Sequence, residues 1–526
     1  MGHIAKSLLP AGLALVIAAP AAVHAQAAGA RRPTPAALRR AVETITEADF
    51  RAGMGVLAHD SMRGRDTRSP QLLQAAQWVA ARFRRAGLRP AGDSGGYFQR
   101  YRMRHLRLDS LSTVSARAVS WTSTWALGRE IAHVGGPSPR GARTMPVVLL
   151  SGIPTDTARP FGDVTMDGAA VLHVIAPEQM RSPMLDPLIG RGISAGAVAW
   201  ILVAQFPPPL WERFQRRSSS ERWELAGSEP SGEAGPVGVL AVRDSSVLGL
   251  LGAAWVDVAA LRTPAGQGIR PLAGVEVAVS PHWTTLEDAV APNVVGVLEG
   301  SDRTLRDEAV VFLAHMDHIG TASGGDCAAD GADSICNGAD DNASGTVAVT
   351  ELAVAYASLR PRPRRTTVFV AVSGEEYGLF GSNHYAANPV VPLERTAAAV
   401  NFDMISRASP DTIQMRGKDY TSLGALADSL ALAHPELRLR TAPRIGAYGA
   451  SDHYPFALRG IPTASFGTGD MPDIHRPTDN LERADFDKAA RAARLAFYLG
   501  LEVANAAGRP QWDPAARARV VSGAGN

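Results

Sequence analysis

Blocks of apolar residues recur through the second half of the chain, and most of them are followed directly by acidic or polar residues. Ala343–Leu359 places its apolar residues three and four apart, as an amphipathic helix does. The apolar blocks are short enough to be buried strands: Asn293–Leu298, Ala309–Ala314, Thr366–Val372, Thr396–Phe402 and Ile461–Phe466. Strands that alternate with helices predict an α/β domain over residues 290–505, with a mostly parallel central sheet flanked by helices.

The first half of the chain has two other sequence patterns. Residues 35–120 include helical spacing through Leu72, Ala76 and Val79, and are predicted to form the N-terminal part of the same domain. Residues 125–285 hold short β-like runs between loops rich in Pro, Gly and Ser, which predicts an inserted β-rich domain. A loop-rich stretch of the main domain is the alternative. Residues 506–526, rich in Ala, Gly, Arg and Pro, are expected to form a loosely ordered tail.

The first 25 residues have the pattern of an export signal. A short positive start with His3 and Lys6 precedes the apolar run Leu8–Ala22, and Val23-His24-Ala25 resembles a signal-peptidase site. The run is too short and too broken for a comfortable membrane span, so an uncleaved anchor is the less favoured alternative. We expect an exported protein, periplasmic or secreted, with no stable membrane insertion after signal removal.

Charge and cysteine content narrow the function classes. The 526 residues include 53 basic and 51 acidic ones, a net charge of +2. Without a basic excess, a dedicated nucleic-acid binder is disfavoured, because such proteins draw much of their affinity from phosphate contacts. The two cysteines cannot form a disulfide framework for the chain.

Candidate ligand residues follow the ends of the predicted strands. Ligands of an open α/β sheet bind beyond the carboxyl ends of its strands, so these residues are expected to converge although they are far apart in sequence. They are His315 and Asp317 after one strand, Asp341 at the start of the next helix, the pair Glu375-Glu376, Asp403, and His475. Histidines with several carboxylates and no thiolate suit zinc or a similar divalent ion. A surplus carboxylate could bridge two ions, and another could remain unliganded as a base.

Each of these features alone has a simpler structural explanation. A single histidine is more often structural than a ligand, a Glu-Glu pair is usually solvated, and Asp340-Asp341-Asn342 could serve only as a helix cap. The Gly-rich loop around Gly338 has neither P-loop nor dinucleotide-binding spacing. The coincidence of such residues at four strand ends favours a metal site.

Five sequence blocks resemble the co-catalytic zinc exopeptidases, the family of bacterial leucyl aminopeptidase, glutamate carboxypeptidase and the transferrin receptor. The blocks occur in the family's order: His315-x-Asp317, Gly338–Gly345, Glu375-Glu376, Asn401–Met404 and Asp473-x-His475. The resemblance covers residues 35–120 and 290–500. The stretch 125–285 resembles a protease-associated domain more weakly, through Gly196–Ala204.

The resemblance implies two zinc ions per chain, with Co²⁺ or Mn²⁺ as alternative metals, and a role for each site residue. It makes His315 and Asp403 ligands of one ion, Glu376 and His475 ligands of the other, and Asp341 the bridge between them. Glu375 would be the general base, and Asp317 would fix the tautomer of His315. The peptide bond between Asp341 and Asn342 is expected to be cis.

Four further residues are weaker candidates. Cys327 and Cys336 lie between His315 and Asp341, and in an exported protein this favours a disulfide at the rim over metal binding by two thiols. Tyr448 could hydrogen-bond the tetrahedral intermediate, as a tyrosine does in some relatives, or could serve packing alone. His453 is expected near the substrate.

These residues predict hydrolysis of a peptide bond close to a chain terminus. A divalent metal acidifies the water that it binds, and a neighbouring carboxylate can then take the proton at neutral pH. An aminopeptidase acting on peptides is favoured, because a free α-amine can also bind a metal. A carboxypeptidase or dipeptidase on the same fold is the alternative, and a non-catalytic binding protein with structural metals is the rival from another class.

Overall fold

A computed structural model describes residues 33–136, 139–218, 221–227, 237–469 and 471–522. The predicted signal, residues 1–25, lies outside the described residues. No helix within these ranges combines the length and the apolar character needed to cross a bilayer.

The helices, in chain order, are α1 (Pro35–Glu43), α2 (Glu47–Leu57), α3 (Pro70–Arg85), α4 (Leu185–Ser194), α5 (Pro208–Arg217), α6 (Asp244–Ala253), α7 (Val258–Leu261), α8 (Gly345–Ser358), α9 (Phe380–Ala387), α10 (Ser422–Ala433), α11 (Tyr454–Ala457), α12 (Phe486–Asn505) and α13 (Pro514–Val521). The strands are β1 (Arg89–Pro90), β2 (Phe98–Leu108), β3 (Thr113–Ala118), β4 (Trp121–Ala126), β5 (Ile131–Gly135), β6 (Arg143–Ser151), β7 (Ala170–Val174), β8 (Ala199–Ala204), β9 (Glu221–Leu225), β10 (Gly238–Arg243), β11 (Gly268–Ser280), β12 (Trp283–Leu298), β13 (Ala309–His315), β14 (Thr366–Val372), β15 (Thr396–Phe402), β16 (Thr412–Arg416), β17 (Arg440–Arg444) and β18 (Thr463–Gly467).

These strands form two sheets, and the first one carries the candidate site. Its order is β17-β16-β18-β15-β13-β14-β12-β2-β9, with β1 paired to β12. The central strands β14, β13, β15 and β18 run parallel, whereas β12 and β2 are antiparallel to their neighbours. The predicted α/β class is confirmed, and the parallel pairing is confined to the centre and the β16–β17 edge, so the sheet is mixed.

The central strands are buried on both faces, which explains why they read as continuous apolar runs. Every residue of β13 and β14 is buried. On one face Phe312 stacks on Phe369, 5.4 Å between ring centroids, beneath α8 and α12. On the other face Val311 packs in a separate cluster that includes Phe456 of α11. Burial on both faces fixes the strand register, and with it the position of the strand ends.

The second sheet has the order β4-β3-β11-β6-β7-β8-β10-β5 and spans residues between Thr113 and Ser280. It differs from the predicted unit of residues 125–285 in two ways. It begins earlier, because β3 pairs with β11, and β9 leaves it to pair with β2 in the first sheet. The long antiparallel pair of β2 and β12 connects the two units.

The sequence predicts that residues 506–526 form a loosely ordered tail. This prediction is wrong for Pro514–Val521, which form the helix α13. Asp513 caps this helix by accepting a hydrogen bond from the Ala516 amide at 2.8 Å. Val520 is buried against Tyr448 and Tyr454, so the helix is held by apolar packing that composition alone did not reveal. Residues 523–526 lie outside the described ranges.

Candidate metal centre

The predicted ligands lie at one edge of the first sheet. His315 is the last residue of β13, and Asp403 follows β15 directly. Glu376 follows the end of β14 by four positions, and Asp341 lies in the turn that leads into α8. Because the central strands are parallel, their carboxyl ends meet at the same edge.

Asp341 is the centre of the cluster. Its Oδ1 atom lies 3.4 Å from His315 Nε2, and its Oδ2 atom lies 3.4 Å from His475 Nε2. His315 Nε2 is 3.7 Å from Asp403 Oδ1, and His475 Nε2 is 3.1 Å from Glu376 Oε2. The five side chains thus form two groups that share Asp341. Its peptide bond to Asn342 is cis, as the resemblance implied.

The donor set fits divalent cations. Asp341, Asp403 and Glu376 are carboxylates taken largely out of solvent, and imidazole nitrogens lie 3.4, 3.7 and 3.1 Å from their respective oxygens. Hydrogen bonds to Asp341 and Glu376 raise the pKa of His475 to about 11. Such a cluster attracts positive charge strongly, and nitrogen and oxygen donors without thiolate suit zinc.

The two adjacent glutamates have different environments. Glu376 Oε1 is 2.9 Å from His318 Nδ1, and its hydrogen bonds to His318 and His475 lower its pKa below the usual range against the effect of burial. Burial raises the pKa of Glu375 well above its usual range, against the opposing pull of His315. Ligand atoms of Glu375, His315 and Asp403 lie within 4.8 Å of one another, close enough to surround one cation. Glu375 is therefore near the position of a metal ion, whether or not it binds the ion directly.

Asp317 anchors the chain around His315. Its Oδ2 atom accepts hydrogen bonds from Thr67 Oγ1 at 2.7 Å and from the Gly374 amide at 2.8 Å. His315 Nδ1 lies 3.8 Å from Asp317 Oδ1, beyond hydrogen-bond distance, and 3.3 Å from the Asp317 carbonyl oxygen. Asp317 therefore links β13 to the loop that precedes Glu375, and its carbonyl is the nearer acceptor for the ring.

His318 lies in the site, although the sequence did not assign it a role as a ligand. It is fully buried, and its Nδ1 atom lies 3.8 Å from Asp341 Oδ2 as well as beside Glu376. Its ring meets that of His475 edge-on, with centroids 5.7 Å apart. The sequence signal was its adjacency to His315-x-Asp317, which by itself does not place a side chain.

Arg65 is a second residue that the sequence did not reveal. Its guanidinium is fully buried and donates to the carbonyl oxygens of Met316 and Gly338 at 3.0 Å each, and also to those of Leu57 and Asn337. Burial lowers its pKa to about 10, and Asp341 is the first of the carboxylates that oppose this shift. Arg65 therefore ties together the segments that carry His315 and Asp341 and brings a positive charge beneath the carboxylates.

Asp479 holds the turn that carries Asp341. It accepts hydrogen bonds from the amides of Asp340 and Asp341 at 3.0 Å each. Arg407 lies 3.5 Å from Asp479 and 2.8 Å from Asp473, two positions before His475. The segment of residues 473–479 and the turn before α8 are thus connected by charge-assisted hydrogen bonds.

Tyr448 and His453, the two residues predicted to lie near the substrate, are both buried. The Tyr448 hydroxyl is hydrogen-bonded to Thr463 Oγ1 at 2.8 Å, and its ring packs edge-on against His453 with centroids 4.9 Å apart. Burial lowers the pKa of His453 to about 3, so this ring is neutral at physiological pH. Thr463 opens β18, at the end away from the metal ligands, so this geometry favours the packing role of Tyr448.

Cys327 and Cys336 are joined by a disulfide. Both are buried and form a small cluster with Ile319. The bond closes a short loop between His315 and Asp341. Because both sulfurs form this bond, neither is a thiolate that could bind a metal.

Two clusters of nitrogen and oxygen donors around a shared carboxylate, at the carboxyl ends of parallel strands, are typical of hydrolases that use bound divalent metal ions. Residues 293–500 match the family model described as Peptidase family M28. This match confirms the resemblance to co-catalytic zinc exopeptidases over residues 293–500.

Several individual proteins are similar to parts of this chain or to its fold. Aminopeptidase NAALADL1 of Mus musculus is 31% identical over 172 residues, which are 31% of this chain and 20% of that protein. Aminopeptidase YwaD of Bacillus subtilis is 28% identical over 171 residues, 30% of this chain and 36% of that protein. The chain thus aligns with about a third or less of the length of these relatives. The solved aminopeptidase from Aneurinibacillus sp. strain AM-1 is similar over 91% of this chain and 98% of its own, with 17% identity and a TM-score of 0.47.

Proposed function

We propose that the protein is an exported aminopeptidase that uses two zinc ions to hydrolyse the N-terminal peptide bond of peptides. The observation that carries this proposal is the geometry of Asp341, whose two carboxylate oxygens each face a different histidine. His315 and Asp403 would hold one ion, and His475 and Glu376 the other. Two ions so held would polarise the scissile carbonyl and acidify a water molecule.

Glu375 is proposed to move the protons of the reaction. Its carboxylate lies beside His315 and Asp403 in a buried setting that raises its pKa, so it can hold a proton at neutral pH. It would take the proton from the attacking water and pass one to the nitrogen of the leaving amine as the carbon–nitrogen bond breaks. Asp317 keeps the loop before Glu375 in place through the Gly374 amide.

The second sheet is proposed to limit which peptides reach the centre. Trp223 belongs to β9, a strand between β8 and β10 that pairs in the first sheet, and its ring meets Tyr377 edge-on with ring centroids 5.4 Å apart. Tyr377 directly follows Glu376. The inserted segment therefore contacts the loop that carries Glu375 and Glu376, and it contains none of the five proposed metal ligands.

A substrate screen on the zinc-reconstituted protein tests the proposal. The panel pairs each aminoacyl peptide with its N-acetylated form and its C-terminal amide, and the Glu375→Gln variant measures background. Hydrolysis of free N-termini, retained on C-terminal amidation and lost on acetylation, is expected. Preference for acetylated peptides with a free carboxyl end would establish a carboxypeptidase instead. A protein with two bound zinc ions and no hydrolysis would overturn the enzyme assignment in favour of a binding protein.

A further inference from the structure

A cavity of about 500 Å³ lies at the edge of the first sheet opposite the metal centre. Thr396 at the start of β15 and Gly460 before β18 form its floor, and the segment around Trp512 forms its wall. Since β15 spans Thr396–Phe402 and Asp403 follows, the cavity is roughly 20 Å from the metal ligands. It is therefore separate from the proposed active site.

Three arginines and one glutamate line this cavity. Arg509 is already paired, because it lies 2.7 Å from Glu308 Oε1 and also donates to the Glu394 carbonyl. Arg459 donates to the Pro455 carbonyl at 2.9 Å, and Arg517 lies against the backbone of Gly460. Among the described residues, neither Arg459 nor Arg517 has a carboxylate within ion-pair distance. Two guanidinium groups at the cavity thus lack an anion, and the single lining carboxylate, that of Glu394, leaves the lining net positive.

Thr396 supplies an independent indication of a ligand. Thr396 is 2% exposed and is one of the residues that line the cavity, and its buried hydroxyl oxygen has no hydrogen-bond partner within the described part of the chain. Buried hydroxyl groups are nearly always paired in folded proteins. An acceptor oxygen held in the cavity would satisfy this donor.

We propose that the cavity binds a small anion that carries carboxylate or phosphate groups. Arg459 and Arg517 would grip its oxygens, since the planar guanidinium matches both groups in shape and charge. The Thr396 hydroxyl would donate to the same ligand. The indole of Trp512, fixed by its hydrogen bond to the Gly460 carbonyl at 2.9 Å, would form an apolar wall beside it.

A bound anion should also hold α13 in place. This helix carries Arg517 at the cavity and Val520 in the cluster with Tyr448. Neutralising Arg517 with a ligand that also touches β15 would tie the C-terminal helix to the sheet. Slower hydrogen exchange over residues 514–521 is therefore expected when the anion is present.

Calorimetric titration of the zinc-loaded full chain with inorganic phosphate, and separately with glutarate, tests the site and distinguishes the two anion sources. Saturable binding of at least one probe is expected, with a loss of tenfold or more in the Arg459→Ala/Arg517→Ala variant. Arg303→Ala, an exposed arginine elsewhere, is the matched control and should bind as the natural protein does. Thr396→Val should weaken binding several-fold.

Two results would overturn the proposal. One is the absence of binding of both probes by the natural protein. The other is binding that survives unchanged in the double variant, which would place the anion at the metal centre. If the double variant does not fold, Arg517→Gln, which changes only an exposed side chain, takes its place with the same expected loss.

Discussion

Glu375 and Glu376 are neighbours in sequence, yet their side chains meet different partners. Glu376 contacts two imidazoles, at 2.9 Å and 3.1 Å, whereas within the described ranges no imidazole forms an ion pair with Glu375. A carboxylate held between imidazoles is a candidate ligand, and a buried one with a raised pKa is a candidate base.

Glu375→Gln and Glu376→Gln should therefore fail in different ways. Glu375→Gln keeps size and loses the proton acceptor, so turnover should fall by a factor on the order of 10² to 10⁴ while both metals stay bound. Glu376→Gln should lose zinc, and added zinc should restore part of its activity. Metal analysis and steady-state kinetics on both variants make the comparison. Retained turnover in Glu375→Gln, or zinc loss from it alone, would reverse the assignment.

If His475 is a zinc ligand, zinc binding should release a proton from its imidazole ring. Its pKa of about 11 in the metal-free protein means that the ring is protonated at neutral pH, whereas a metal ligand must be neutral. Zinc must displace this proton, so zinc affinity should rise with pH by about tenfold per unit for each proton released. Titration at pH 7 in buffers of different ionisation enthalpy counts these protons. A zinc affinity that does not change between pH 6 and 8 would contradict the assignment of His475 as a ligand.

At the scale of elements, α2 contains two glycines in opposite surroundings. A Cβ atom on Gly53 would lie 2.7 Å from Val347 Cγ2 of the buried helix α8, whereas one on Gly55 would meet nothing within 4 Å. Valine is stiff at χ1, so it cannot yield easily. Gly53 therefore allows α2 to approach α8, the helix that the Asp341 turn begins.

Alanine substitutions at the two positions should have opposite effects. Gly55→Ala should stabilise the protein by about 0.5–1 kcal/mol through helix propensity. Gly53→Ala gains the same propensity but overpacks the contact with Val347, which costs about 1–3 kcal/mol, so a net loss is expected. Thermal unfolding of both variants under one zinc concentration measures the difference. Equal shifts would show that α2 and α8 do not pack as closely as described.

At the scale of the whole molecule, β2 and β12 connect the two units, and Leu108 pairs directly with Trp283. Residues 109–282 could therefore be replaced by a two-residue Asn-Gly hairpin turn, a change that also removes the edge strand β9 and the contact of Trp223 with Tyr377. None of the metal-site side chains described above lies in that segment. The shortened protein should still bind two zinc ions and hydrolyse small aminoacyl substrates, with altered selectivity among longer peptides. Zinc analysis and circular dichroism are the measurements, and a folded product without zinc would show that the second unit supports the site.

The sequence by itself determined the central strands of the first sheet and the residues at their ends. Strands buried on both faces need continuous apolar runs, which are visible without a structure, as in Ala309–Ala314. Parallel strands bring their carboxyl ends to one edge, so His315 and Asp403 could be expected together. The resemblance to the zinc exopeptidases added the ligand roles of Asp341, Glu376 and His475.

The tertiary structure alone decided which other residues support that edge. Arg65 and Asp479 act on the segments of His315 and Asp341 through backbone groups, and backbone carbonyls and amides leave no trace in sequence spacing. The course of β9 and the packing of α13 likewise depend on which surfaces remain uncovered after folding. The local pattern of apolar and polar residues determines which helix or strand a side chain belongs to and which face it lies on. Contacts between distant segments depend instead on how the whole chain packs.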